Sequence, residues 1–223
     1  MAMNEQAKNE NEWTSIQHAL AYLQRADSIP HRTEGERVLL DHVPQSIKTI
    51  LDLGAGDGRL LALLRIDRPR IKAVALDFSQ PMIEMARKRF ADDPLIEVVA
   101  HDLNNPIPKL GHFDAVVSSF AIHHLPHERK RSLYVEVFDL LNPEGVFCNL
   151  EHVSSPTQKI HEQFLLEIGR TIESEDRSNI LLDVETQLEW LRHDGFIDVD
   201  YYWKWLELAL LIGVKPMRYV ISM

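Results

Sequence analysis

The sequence predicts a doubly wound α/β fold: a mostly parallel seven-stranded sheet with helices on both faces, an antiparallel last strand and an N-terminal helical cap. Three observations predict it. Short, non-alternating apolar runs recur from Thr49 to Leu150, as in strands buried on both faces. Runs with helical spacing separate them. The last two β-rich runs have no helix between them, so they form an antiparallel pair.

Residues 1–12, MAMNEQAKNENE, are read as a flexible tail without the apolar core of a secretory signal, and residues 13–223 as one domain. Trp13, Ile16, Leu20 and Leu23 recur at helical spacing up to about Arg25, and the Ile29-Pro30 step ends that helix. Thr33 and Glu36 form a capping-box pattern ahead of Val38, Leu39, Leu40 and Val43, which predicts a second helix and completes a cap over 13–47. The alternation follows: strand Thr49–Leu53, helix Arg59–Ile66, strand Ile71–Leu76, then a helix capped by Ser79 and reaching about Phe90. Strands Ile96–Ala100 and Phe113–Ser118, helix His127–Leu141 and strand Val146–Leu150 complete the parallel part. Residues 156–173 read as helix and 174–182 as a polar loop, within an insertion at 154–182 expected to cover one side of the site. Asp183 caps a helix to His193 that Gly195 closes, and Ile197–Trp205 with Glu207–Val214 form the closing pair.

The composition, 45% hydrophobic and 26% charged over 223 residues, suits one globular domain. A formal net charge of −10 disfavours nucleic acid as a partner, because duplex binding draws its affinity from Lys and Arg on phosphates. The single cysteine, Cys148, excludes an internal disulfide and fits a reducing compartment. The apolar run Leu208–Val214 is far shorter than the roughly 20 residues a bilayer span needs. A cytoplasmic protein without a membrane partner is expected; a homodimer stays open.

The strongest local signal is Leu51-Asp52-Leu53-Gly54-Ala55-Gly56-Asp57-Gly58, between the first strand and its helix. Glycines there let the backbone turn sharply and a ligand approach closely, and the helix N-terminus behind leaves N–H groups for an acceptor. Asp77 ends the second strand 19 residues after Gly58, where an acid can accept both hydroxyls of a ribose; a strand-end acid bonded to turn amides is the other reading. A dinucleotide site wants G-x-G-x-x-G, but the third glycine comes one position early and Arg59 stands in its place. No phosphate-binding G-x-x-x-x-G-K-[ST] string occurs, and acids at 52 and 57 make a poor phosphate cradle. They suit a cation. Asp102 follows the third strand on the same sheet edge and can accept from an exocyclic amine, or else cap the Asn104-Asn105-Pro106 turn.

With LDLGAGDG, ALDFS, VVAHDL, FDAVVSSFAIHHL and LLNPEGVF in order over roughly residues 33–153, the chain resembles the Rossmann-like class I S-adenosylmethionine-dependent methyltransferases. The resemblance implies S-adenosyl-L-methionine as cofactor. Gly54, Ala55, Gly56 and Gly58 would border its methionine part, Asp52 its amino group and Asp77 its ribose. Phe78 would lie against the adenine with Asp102 and Leu103 at its edge, and Ser118, Ser119 and Phe120 beside the reacting centre. The closing antiparallel pair also matches that family's sheet.

Methyl transfer from a sulfonium needs a positioned nucleophile, a dry site and, for some acceptors, a base. Candidates at strand ends are His123 and His124 after the fourth strand, and Glu151 and His152 after the fifth, since imidazole titrates near neutral pH. The first pair reads equally well as structural. No metal is expected: His123, His124 and His127 cluster, but adjacent histidines point apart and no cysteine pair assists. His31 and Arg32 either contact a polar acceptor or pair with Glu34 and Glu36. Tyr201, Tyr202, Trp203 and Trp205 are read first as packing aromatics. The expected activity is in-line methyl transfer to an O or N of a small-molecule acceptor. RNA or protein methylation, a non-catalytic binding protein of the same fold and a nicotinamide oxidoreductase are the alternatives.

Overall fold

The computed structural model describes residues 15, 17 and 29–217. The tail at 1–12 and the helix expected from Trp13 to Arg25 lie outside the described residues, positions 15 and 17 apart. Six helices and seven strands follow: α1 (Arg32–His42), β1 (Thr49–Leu53), α2 (Arg59–Asp67), β2 (Lys72–Asp77), α3 (Gln80–Arg89), β3 (Ile96–Ala100) and β4 (Phe113–Ser119). Then come α4 (His127–Leu140), β5 (Leu141–His152), α5 (Gln158–Glu167), α6 (Val184–His193), β6 (Ile197–Trp205) and β7 (Leu208–Val214).

The strand order is β3-β2-β1-β4-β5-β7-β6, parallel except for β7, which is antiparallel to both β5 and β6. Successive residues of each central strand enter opposite cores, which is why those strands read as continuous apolar runs. Ile50, Val117 and Cys148 join Leu39, Leu61 and Leu64 on one face. Leu51, Val116 and Phe147 join Leu133, Tyr134 and Val137 on the other. Chain order reverses between β1 and β4, and register sets Leu53 level with Leu76 and Ser118. A crevice therefore opens at the carboxyl ends of these strands, the usual ligand position in such sheets.

Three boundaries differ from expectation. α1 starts at Arg32 behind His31, a left-handed residue (φ 61°) with no side-chain cap bond, so Thr33 is not the cap. Glu36 is unavailable for a capping box because Arg32 Nε and Arg59 Nη2 donate to its carboxylate at 2.9 and 3.1 Å. β5 begins at Leu141, directly after α4, with Pro143 disfavouring helix at Asn142. α5 stops at Glu167, short of residue 173, just ahead of the left-handed Gly169 (φ 69°). Asp183 does cap α6, accepting from Thr186 N–H at 2.8 Å.

Candidate active site

After β1 the chain must turn at once into α2, and it does so on left-handed backbone at Gly54 (φ 68°), Gly56 (57°) and Gly58 (81°). Contact also fixes two of them: a Cβ on Gly54 would stand 2.2 Å from Ala121 Cβ, and one on Gly58 2.4 Å from Phe90 Cε2. The turn is stitched to β2. Ala55 N–H donates to the Leu76 carbonyl at 2.9 Å, and Gly56 N–H donates to Asp77 Oδ2 at 2.8 Å. Asp77 Oδ1 accepts from Ser79 N–H, also at 2.8 Å. Asp77 thus binds turn amides, and of the carboxylate's roughly four acceptor positions one is left for a ligand hydroxyl. Burial raises its pKa, against the amides of Ser79, Gly56 and Phe78.

Asp52 is different. It is 1% exposed, and its Oδ2 has no hydrogen-bond partner among the described residues. Burial first, then repulsion from Asp77 and Asp57, pushes the carboxyl up to about 8. Asp57, expected to add negative charge, is instead paired with Arg89.

A cavity of about 520 Å³ opens over these residues. Asp52, Gly54, Ala55, Gly56, Asp77, Phe78, Asp102, Leu103, Ser119 and Phe120 line it, as does His124. Gly58 and Ser118 do not: Gly58 packs on Phe90, and Ser118 Oγ donates to the Leu53 carbonyl at 2.8 Å. Asp102 Oδ1 accepts from Asn104 N–H at 2.9 Å, the turn-capping contact, while the residue still faces the cavity. The wall also holds Met82, Met85 and His101, which sequence reasoning missed. The two methionines lie three apart on α3, a spacing that puts both on the helix face over the site.

Residues 50–145 match the family model of a methyltransferase domain. An uncharacterized methyltransferase of Mycobacterium tuberculosis is 35% identical over 112 residues, covering 50% of this chain and 54% of the relative. A demethylmenaquinone methyltransferase of Clavibacter sepedonicus is 29% identical over 189 residues, covering 78% and 76%. An O-methyltransferase family protein from Burkholderia thailandensis superposes with a TM-score of 0.73 at 18% identity, over 95% of this chain and 64% of that one. Residues 50–145 are thus similar to a methyltransferase domain, and the chain shares the Rossmann-like fold of these methyltransferases. It spans about half the length of the first curated relatives it matches, 54%.

The cofactor of these methyltransferases carries an ammonium and a sulfonium. A buried, unpartnered carboxylate at the glycine turn fits a cation, and its cost of burial falls when one arrives.

The four candidate bases occupy different places. His124 lines the cavity; His123, Glu151 and His152 stand behind it. His123 Nδ1 and Glu151 Oε1 are 2.6 Å apart, with the imidazole pushed down by burial, His152 and Lys130, and the carboxyl pushed up by burial. His152 Nε2 meets Glu207 Oε2 at 2.9 Å, and Glu207 Oε1 meets His161 Nδ1 at 2.9 Å. His31 pairs with Glu34 and Arg32 with Glu36, each at 2.9 Å; Arg32 and Glu36 also line the cavity, so pairing does not remove Arg32 from the acceptor's reach, and its guanidinium lies 5.2 Å from the Phe120 ring centroid. Among the described residues no group of three His, Cys, Asp or Glu side chains could hold a metal ion, and no helix is long and apolar enough to cross a membrane.

Proposed function

We propose that the chain transfers the methyl group of S-adenosylmethionine to an O or N atom of a small-molecule acceptor. One observation carries the reading: the unpartnered Asp52 Oδ2 in the cavity beside Asp77. In this reading Asp52 holds the cofactor's amino group and Asp77 accepts from a ribose hydroxyl. Phe78 covers the adenine, and Asp102 with the Leu103 backbone meets its edge. Gly54, Ala55 and Gly56 let the methionine part lie against the backbone. When bound, the cofactor supplies an electrophilic methyl group, and the protein's work is to orient the acceptor and exclude water.

The acceptor side is assigned to Ser119, Phe120 and His124, with the segment 154–182 as its cover. Supporting this, Phe164 and Leu165 of α5 share a cluster with Phe120, Trp203 and Leu208, and Ser178 touches His124 at 2.9 Å. His124 becomes the leading base because it alone of the four candidates lines the cavity. The net charge of −10 favours a small acceptor over a nucleic acid.

The test supplies the protein with methyl-labelled cofactor and offers separate metabolite, RNA and protein pools. Label is expected in the metabolite pool. Label confined to RNA or protein overturns the acceptor class, and no label in any pool overturns the activity.

A further inference from the structure

We infer that His161 latches a flap, residues 171–179, against the acceptor side of the cavity, and that the flap is released when the imidazole gives up one of its two protons. Control of acceptor entry rests on the methyltransferase reading above; the latch itself does not.

The contacts fix the charge of the ring. His161 stands on α5, and both of its nitrogens meet carboxylates: Nδ1 lies 2.9 Å from Glu207 Oε1, and Nε2 lies 3.3 Å from Glu175 Oε2. An ionised carboxylate only accepts, so each contact needs a hydrogen on the ring, and only the imidazolium carries two. Burial opposes that charge, but the bonds and attraction of Glu207 and Glu175 outweigh it and raise the pKa. The second Glu207 oxygen meets His152 Nε2 at 2.9 Å, and Lys204 is drawn to Glu207 while its Nζ donates to the Leu206 carbonyl. Asp176, beside Glu175, acts on His123 and His124.

Loss of one proton has a direction. The neutral ring serves one carboxylate and turns a lone pair on the other. Glu207 is 0% exposed, so leaving it short of a donor costs more than releasing Glu175, whose side chain is 24% exposed and can turn to water. The Glu175 bond therefore breaks, while α5 stays seated by the buried Phe164 and Leu165.

Both ends of the flap are fixed independently of the latch. Arg170 N–H donates to the Leu165 carbonyl at 2.7 Å across the left-handed Gly169, which closes α5. Ile180 N–H donates to the His123 carbonyl at 3.0 Å, and Lys130 Nζ donates to the Ile180 carbonyl. Between these anchors no residue of the short turn Ile172–Ser174 is buried, so packing holds it weakly. The flap borders the site through Ser178, whose Oγ lies 2.9 Å from Nδ1 of the cavity-lining His124. A weakly packed segment at the mouth of a site can gate entry and then exclude water.

Hydrogen exchange tests the latch with no ligand present. Corrected for the intrinsic rate, the amides of residues 172–178 in the wild-type protein should exchange about tenfold faster at pH 9 than at pH 6, the effect of losing a hydrogen bond between charged groups. Those of α5 should change by less than about twofold. E175A, which alters only a half-buried flap side chain, should exchange at pH 6 as the wild type does at pH 9. Equal flap exchange at the two pH values, an E175A that matches the wild type at pH 6, or α5 opening along with the flap overturns the inference. With labelled cofactor and the metabolite pool at limiting acceptor, E175A should transfer faster than the wild type at pH 6 and equally at pH 9. Equal or slower transfer at pH 6 overturns the flap's control of entry. No transfer by either protein overturns the methyltransferase reading instead, and the exchange then still judges the latch.

Discussion

Replacing Asp52 by asparagine should make the cofactor-free protein more stable at pH 8 and poorer at binding its cofactor. The carboxyl titrates at about 8 in the fold, against an ordinary 3.8, chiefly because it is buried. Between those values the folded state holds a proton that the unfolded chain has released, so stability falls as pH rises, by about 1.4 kcal/mol for each pH step of one. The loss accumulates to roughly 5 kcal/mol by pH 8. Asparagine carries no charge and abolishes that slope, but it leaves a buried amide without a partner, which costs about 1–3 kcal/mol. A net gain of about 2–4 kcal/mol at pH 8 follows, or about 4–16 °C in Tm for a chain of this size. At pH 4 the sign reverses, since the wild-type carboxyl costs little there. Thermal unfolding of both proteins from pH 4 to 8 checks this, and calorimetry should show cofactor binding weakened by at least about 30-fold. Parallel stability curves, or D52N less stable at pH 8, would refute a buried, unpartnered Asp52.

Two more perturbations separate packing from ligand contact. G58A places a Cβ 2.4 Å from Phe90 Cε2 at φ 81°, and should cost about 2–4 kcal/mol of stability. G58A/F90L should recover the steric part, and at low temperature G58A should bind cofactor within about threefold of wild type. A loss of affinity without a loss of stability would return Gly58 to the ligand site. H161A probes the Glu207 pair: burial opposes charge on His161, but its bonds and pairing with Glu207 and Glu175 outweigh this and raise its pKa above 6.5. That contribution is complete below 6.5 and fades as pH rises through the raised value. Urea unfolding should find H161A weaker by about 1–2 kcal/mol at pH 6 and by much less at pH 9; equal losses at both would exclude a charged partner.

The sheet was legible because its chemistry is local. Ile50 and Leu51 face opposite cores, and so do Val116 and Val117, so each strand announces itself as an apolar run. Gly54 and Asp77 were legible because a sharp turn and a strand-end acid leave marks at fixed spacing. What escaped depends on orientation or on distance along the chain. Neighbours on a strand point to opposite sides, so Ser119 reaches the cavity while Ser118 bonds the Leu53 carbonyl; sequence had named both. Of the four histidine and glutamate candidates, likewise, only His124 reaches it. The Arg32–Glu36–Arg59 cluster that displaced the expected capping box joins α1 to α2 across 23 residues. Glu207 looked like an ordinary strand residue, yet it joins His152 to His161.

The account stands most directly on one titration: S-adenosylmethionine into the protein at pH 7, in two buffers of different ionisation enthalpy. One binding site is predicted, with close to one proton released, because a cation arriving at Asp52 must strip the proton that burial holds there. No binding heat, or binding in which both buffers give the same enthalpy, would contradict it.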